Sequence, residues 1–142
     1  MNLHKTFSSY AFAAISLLTV ASCTKDNLKN CDRQIETQCM EDAAKANVRI
    51  TNAGTKDYCN IKVAAGGKRV NYGSLKRGQS TCYIAFDEIY DYAYIELSIN
   101  GAKYVLQPID YVGETPLEAG YFTYSITHHE ESKQIGLATK KE

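Results

Sequence analysis

The apolar positions of this chain fall into three successive patterns. Tyr10 to Val20 is an apolar run interrupted by Ser16 and Thr19. From Cys31 to Ala46 the spacing is four: Cys31, Ile35, Cys39 and Ala43 form one semi-apolar stripe, with Asp32, Arg33, Glu36, Glu41 and Lys45 elsewhere. That period predicts a short helix over about 31–46. From Asn47 the spacing becomes two. Val48 and Ile50 alternate with Arg49 and Thr51, Cys59, Ile61 and Val63 with Tyr58, Asn60 and Lys62, and Cys82, Ile84 and Phe86 with Thr81, Tyr83 and Ala85. A short strand is expected around 70–72, another over 121–128 and a weak last one over 134–139, with turns at Gly66-Gly67 and Lys76-Arg77-Gly78-Gln79.

The firmest local prediction is a hairpin. Ala93, Ile95, Leu97 and Ile99 alternate with Tyr92, Tyr94, Glu96 and Ser98, and Asn100-Gly101 follows at once. Asn-Gly suits the two positive-φ positions of a two-residue turn. Such a turn pairs Ile99 with Ala102, Leu97 with Tyr104 and Ile95 with Leu106, which sets apolar side chains opposite one another. Seven or eight short strands with regular turns predict a mainly β domain, an antiparallel immunoglobulin-like sandwich, with a small barrel as the alternative.

The first 22 residues have the parts of an export signal: a short positive start at Lys5, the apolar run, and small Ala21 and Ser22. The run is too short for a membrane-spanning helix, which takes about 20 apolar residues. The reading is then a signal over 1–22, a polar tether over 23–30 and one domain over 31–142. Beyond residue 22 the chain has 120 residues with 15 Lys/Arg against 16 Asp/Glu. That is enough for one core, and near neutrality offers no footprint for nucleic acid.

Val20-Ala21-Ser22-Cys23 resembles the lipobox of bacterial lipoproteins. The resemblance implies a diacylglycerol on the Cys23 thiol, cleavage before it, and acylation, as by palmitate, of its new amino group. Several acyl chains make a strong membrane anchor. By analogy with other Gram-negative lipoproteins, Thr24 rather than Asp after the cysteine favours the outer membrane, and Asp26 is a faint version of surface-export tags. The membrane face stays open. Val48-Arg49-Ile50-Thr51-Asn52, Tyr72-Gly73-Ser74-Leu75, Tyr92-Ala93-Tyr94-Ile95-Glu96-Leu97 and the stretch from Gln107 to Leu117 resemble small uncharacterised lipoproteins of Bacteroidota-type bacteria. That likeness implies host type and fold and adds no site.

Four cysteines remain: Cys31, Cys39, Cys59 and Cys82. An even number in an exported domain reads as two disulfides with three connectivities. Within a continuous helix Cys31 and Cys39 would stand about 12 Å apart, too far for a bridge. Each would then turn towards Cys59 or Cys82, while a broken helix reopens local pairing.

Candidate chemistry is thin, and no cofactor motif is legible. His128-His129-Glu130-Glu131 has metal-ligand types, but neighbours on a strand face opposite ways, and a zinc site needs further ligands. Asp87, Glu88 and Asp91, with Asp110 and Glu114, lack the spacing of a calcium loop. Neither a G-x-S-x-G elbow nor a P-loop is present. Tyrosine is the compositional oddity, 11 residues with no tryptophan. Tyr92, Tyr94 and Tyr111 are the candidate recognition surface, and Tyr83, Tyr90 and Tyr121 extend it. The first expectation is a lipid-anchored, non-enzymatic binding or structural module with an envelope protein or glycan as partner. A surface glycan binder is the second, and a small envelope hydrolase the third.

Overall fold

Alternation from residue 46 onward folds as eight strands: β1 (Ala46–Asn52), β2 (Tyr58–Ala65), β3 (Lys68–Leu75), β4 (Ile84–Phe86), β5 (Tyr94–Ile99), β6 (Ala102–Leu106), β7 (Gly120–His129) and β8 (Gln134–Lys141). The computed structural model describes Cys31, residues 37–109 and residues 113–142. The expected signal, the expected tether with Cys23, and Asp110 and Tyr111 lie outside the described residues. Two four-stranded sheets form, ordered β4-β1-β7-β8 and β3-β2-β5-β6. Every pairing is antiparallel except β1 with β7, which run parallel in register from Ala46↔Gly120 to Asn52↔Ile126. The sheets share one apolar core, to which β1 and β7 contribute Val48, Ile50, Tyr124 and Ile126 and β2 and β5 contribute Ile61, Val63, Ile95 and Leu97. The domain is mainly β, with a sandwich-like pair of sheets.

The hairpin forms in the expected register, with Ile99↔Ala102, Leu97↔Tyr104 and Ile95↔Leu106, and Asn100 and Gly101 take φ of 50° and 81°. Its first strand begins at Tyr94 rather than Tyr92.

The helix expected over 31–46 does not form among the described residues. Residues 37–45 run as a strap across the open edges of both sheets. Thr37 N–H donates to the Asn71 carbonyl on β3 (2.7 Å), Ala85 N–H on β4 donates to the Met40 carbonyl (2.8 Å), and Met40 bridges Ile84 in parallel. Backbone groups that would have closed helical turns are spent on strand edges. This satisfies them and shields edges that would otherwise invite pairing with another chain. The strap ends in a turn in which Asp42 Oδ1 accepts from Ala44 N–H at 2.9 Å. Helical stripe members Cys39 and Ala43 are exposed, so their periodicity served no burial.

Cys39–Cys82, with Cα atoms 5.8 Å apart, pins the strap, and Cys31–Cys59, at 5.3 Å, ties the chain ahead of it to β2. Each N-terminal cysteine therefore does pair with one of the later two, although 37–45 is extended. Cys82 is exposed rather than core-facing, and β4 is only the three residues Ile84–Phe86.

The phase of β2 also differs from expectation at its start. Tyr58, assigned outward, is fully buried in the core with Ile61 and Val63. The cause is a bulge: between the pairs Cys59↔Ser98 and Lys62↔Glu96, three steps on β2 oppose two on β5. Asn60 absorbs it at φ 54°, a left-handed position that asparagine tolerates.

Candidate functional site

At the turn end of β2, Gly66 and Gly67 close a two-residue hairpin with φ of 52° and 72°. The register places Ala64 opposite Arg69 on β3 and opposite Tyr94 on β5. Arg69 and Tyr94 thus flank a small residue on the outward face, and they meet above it. The guanidinium carbon of Arg69 lies 5.2 Å from the Tyr94 ring centroid, within cation–π range.

Tyr94 is held at its far end. Its hydroxyl donates to Glu96 Oε2 at 2.9 Å, and the same carboxylate pairs with Lys103 at 2.9 Å and Lys62 at 3.5 Å. The hydrogen bond from Lys103, then that from Tyr94, hold the Glu96 carboxyl down at about 2. Its negative charge in turn raises the Tyr94 hydroxyl, chiefly through their hydrogen bond.

The opposite wall is the loop from β4 to β5. Tyr90 donates to Glu88 Oε1 at 2.9 Å, and the Tyr90 and Tyr92 rings lie near parallel, 6.4 Å apart. The loop is anchored from below: Tyr124 donates to the Tyr90 carbonyl, Thr139 to the Asp91 carbonyl at 2.6 Å, and Ile89 is fully buried. A Cβ on Gly66 would come within 2.6 Å of the Glu88 carbonyl oxygen, so the hairpin turn and the loop close against each other. Between them runs a groove of about 510 Å³ lined by Gly66, Arg69, Glu88, Tyr90 and Tyr94.

Chemically, ring faces, a carboxylate and a guanidinium suit a flat or amphipathic ligand held by stacking and hydrogen bonds. Of the recognition candidates, Tyr92 and Tyr94 border this region, and Tyr111 lies outside the described residues. Arg69 and Glu88 were not singled out for it. The Gly-Gly turn and the Ala64 register were the only signals able to place Arg69 beside Tyr94.

The remaining tyrosines have other roles. Tyr58, Tyr72, Tyr104 and Tyr124 are buried. Tyr72 on β3 reaches across to donate to the Val48 carbonyl on β1 at 2.8 Å, and burial drives its hydroxyl far above the ordinary tyrosine range. Tyr83 and Tyr121 meet edge to face at 4.9 Å on the other sheet, with Arg49 over Tyr83.

His128 and His129 differ in burial. The His128 side chain is 2% exposed and its Nδ1 lies 3.1 Å from the Tyr58 hydroxyl, whereas His129 is exposed. Burial lifts the Tyr58 hydroxyl to about 12. Among the acidic candidates, Asp87 pairs with Lys45 at 2.8 Å, and that hydrogen bond holds its carboxyl below the usual range.

Comparison with known proteins bears on the fold. No family model matches the chain, and no curated protein matches it. One solved structure, described as the NMR structure of the protein from Eubacterium rectale, is similar with a TM-score of 0.51 and 16% identity, over 70% of this chain and 94% of that one. At that identity the likeness shows shared architecture alone.

Proposed function

We propose that this chain is a lipid-anchored, non-enzymatic binding module of the bacterial cell envelope. In this reading Cys23 carries the acyl chains, and the groove formed by Arg69, Glu88, Tyr90 and Tyr94 is the binding surface. The observation that carries it is the separation of the two ends. Cys59, bridged to Cys31, lies at the start of β2, and the groove lies at its turn end. Eight residues of strand put roughly 23 Å between them at 3.3 Å per residue, so a tether at one end leaves the groove facing away. The immunoglobulin-like reading of the fold belongs to the same proposal. Eight short strands divided between two sheets support it, while both bridges tie residues ahead of β1 rather than joining the sheets.

Replacing Cys23 by Ser is expected to move the protein from the membrane to the soluble fraction; unchanged retention sinks the anchor. Surface labelling of intact cells, with a periplasmic protein as lysis control, then decides the membrane face.

A glycan ligand is the second reading, favoured by the partly exposed Tyr90 and Tyr92 rings beside Glu88 and Arg69. Wild type should bind members of a polysaccharide array, and Tyr92→Ala/Tyr94→Ala should lose them. Equal binding by that variant removes the glycan reading.

A further inference from the structure

At the opposite end of the same sheet is a second groove, of about 410 Å³, walled by Lys56, Asp57, Cys59, Lys76, Arg77 and Gly101. Three loops build it: the connection from β1 to β2, the one from β3 to β4, and the Asn100-Gly101 turn. Three cations therefore converge around one carboxylate. That carboxylate is already engaged, since Asp57 Oδ1 accepts the Arg77 backbone N–H at 2.9 Å. Lys56 also reaches Glu130 at 3.3 Å, on the β7–β8 turn. Three cations face Asp57 within the lining, and Glu130 leaves a net excess of one positive charge.

What gives this groove a partner is where the chain leaves it. Cys59 forms part of the wall, and Cys59 is bonded to Cys31. Cys31 lies eight residue steps beyond Cys23, and eight steps of chain span at most about 29 Å. If Cys23 is lipidated, this end of the domain is confined to within a tether's length of the bilayer surface. Confinement matters because weak electrostatic attraction then acts at high effective concentration.

We propose that the groove of Lys56, Lys76 and Arg77 seats the phosphate of an anionic phospholipid headgroup in the leaflet holding the anchor. Each cation near an anionic surface is worth roughly fivefold in partitioning. With Asp57 and Glu130 opposing, the net preference is expected to be about fivefold, enough to orient a tethered domain. The consequence is that the tyrosine groove is held pointing away from the membrane rather than swinging about its tether. This inference rests on the anchor proposed at Cys23.

The test uses the lipidated protein purified from cells and inserted into preformed vesicles of phosphatidylcholine alone or with phosphatidylglycerol. Lysines are acetylated with an uncharged reagent and their rates read by mass spectrometry. On the anionic vesicles Lys56 and Lys76 should label about fivefold more slowly, with Lys68 and Lys140 at the far end unchanged. Arg77→Gln should weaken the protection, and salt near 1 M, where the screening length is about 3 Å, should abolish it. Equal rates on both vesicles overturn the headgroup seat alone. Equal protection on neutral vesicles by inorganic phosphate would show a free-anion groove and overturn the lipid assignment. Failure of the protein to float with vesicles at all overturns the anchor, and this inference with it.

Discussion

The two ends of the β3-β2-β5-β6 sheet use the same residue type for opposite purposes. Tyr58 starts β2 at the end bridged to Cys31, and Tyr94 starts β5 at the far end. Tyr58 is turned into the core, edge-on to His128, its hydroxyl donating to the Ile126 carbonyl. Tyr94 stands on the outer face beneath Arg69, its hydroxyl tied to Glu96. One ring joins two sheets and the other is offered to solvent. The difference comes from the bulge at Asn60, which shifts the phase of one strand end and has no counterpart in β5. At the bridged end, aromatic area stabilises the fold; at the far end, it lies on the outer face.

Removing the bridges should disturb the Cys59 end most severely. In the chain-entropy account, a bridge closing 43 residues contributes about 4 kcal/mol and one closing 28 about 3.5 kcal/mol. Cys39→Ser/Cys82→Ser and Cys31→Ser/Cys59→Ser should lower stability by those amounts in urea titrations. Equal stability to wild type would mean that the strap is held by its strand-edge hydrogen bonds alone.

Tyr58→Phe comes next. It leaves His128 Nδ1 without the hydroxyl beside it and should cost about 1–3 kcal/mol. The matching Tyr94→Phe at the far end is expected to stay within about 1 kcal/mol, as for an exposed network. Similar losses at both positions in the same urea titrations would erase the contrast between a structural and a presented ring.

A smaller effect concerns Glu96. Its folded value near 2 lies below the ordinary 4.5, so the ionised carboxylate stabilises the fold above about pH 4.5. That contribution is lost as pH falls through about 2. Glu96→Gln should cost about 1 kcal/mol at neutral pH, as expected for a partly screened network. The gap to wild type should close between pH 4.5 and 2 in thermal melts. A gap independent of pH would remove the ionic explanation.

Least affected should be Tyr90→Ala, within about 1 kcal/mol of wild type in thermal melts, because its ring borders the groove while its backbone carbonyl carries the loop contact. A larger loss would make the ring part of the framework and count against a binding role.

Much of this was legible locally. Asn100-Gly101 and the residues around it specified a turn, a register and a buried face together, and all three agree in the structure. Adjacent His128 and His129 differ in burial as strand alternation requires, the first covered and the second exposed. Where periodicity misled, tertiary contacts outweighed it. The four-residue spacing over 31–46 carried a helical pattern, yet Thr37 and Met40 bond to strand edges. No local signal announces that edges will lie there.

The sequence by itself determined a mainly β domain, the central hairpin and the set of cysteines available for bridging, because turn chemistry and alternation act between near neighbours. Tertiary structure alone decided the parallel pairing of β1 with β7, which cysteine met which, the bulge that buries Tyr58, and the meeting of Arg69 with Tyr94 over Ala64. Each of these depends on strands distant in the chain becoming adjacent. Strand order is set by how two sheets close one core, which alternation along a single strand does not encode.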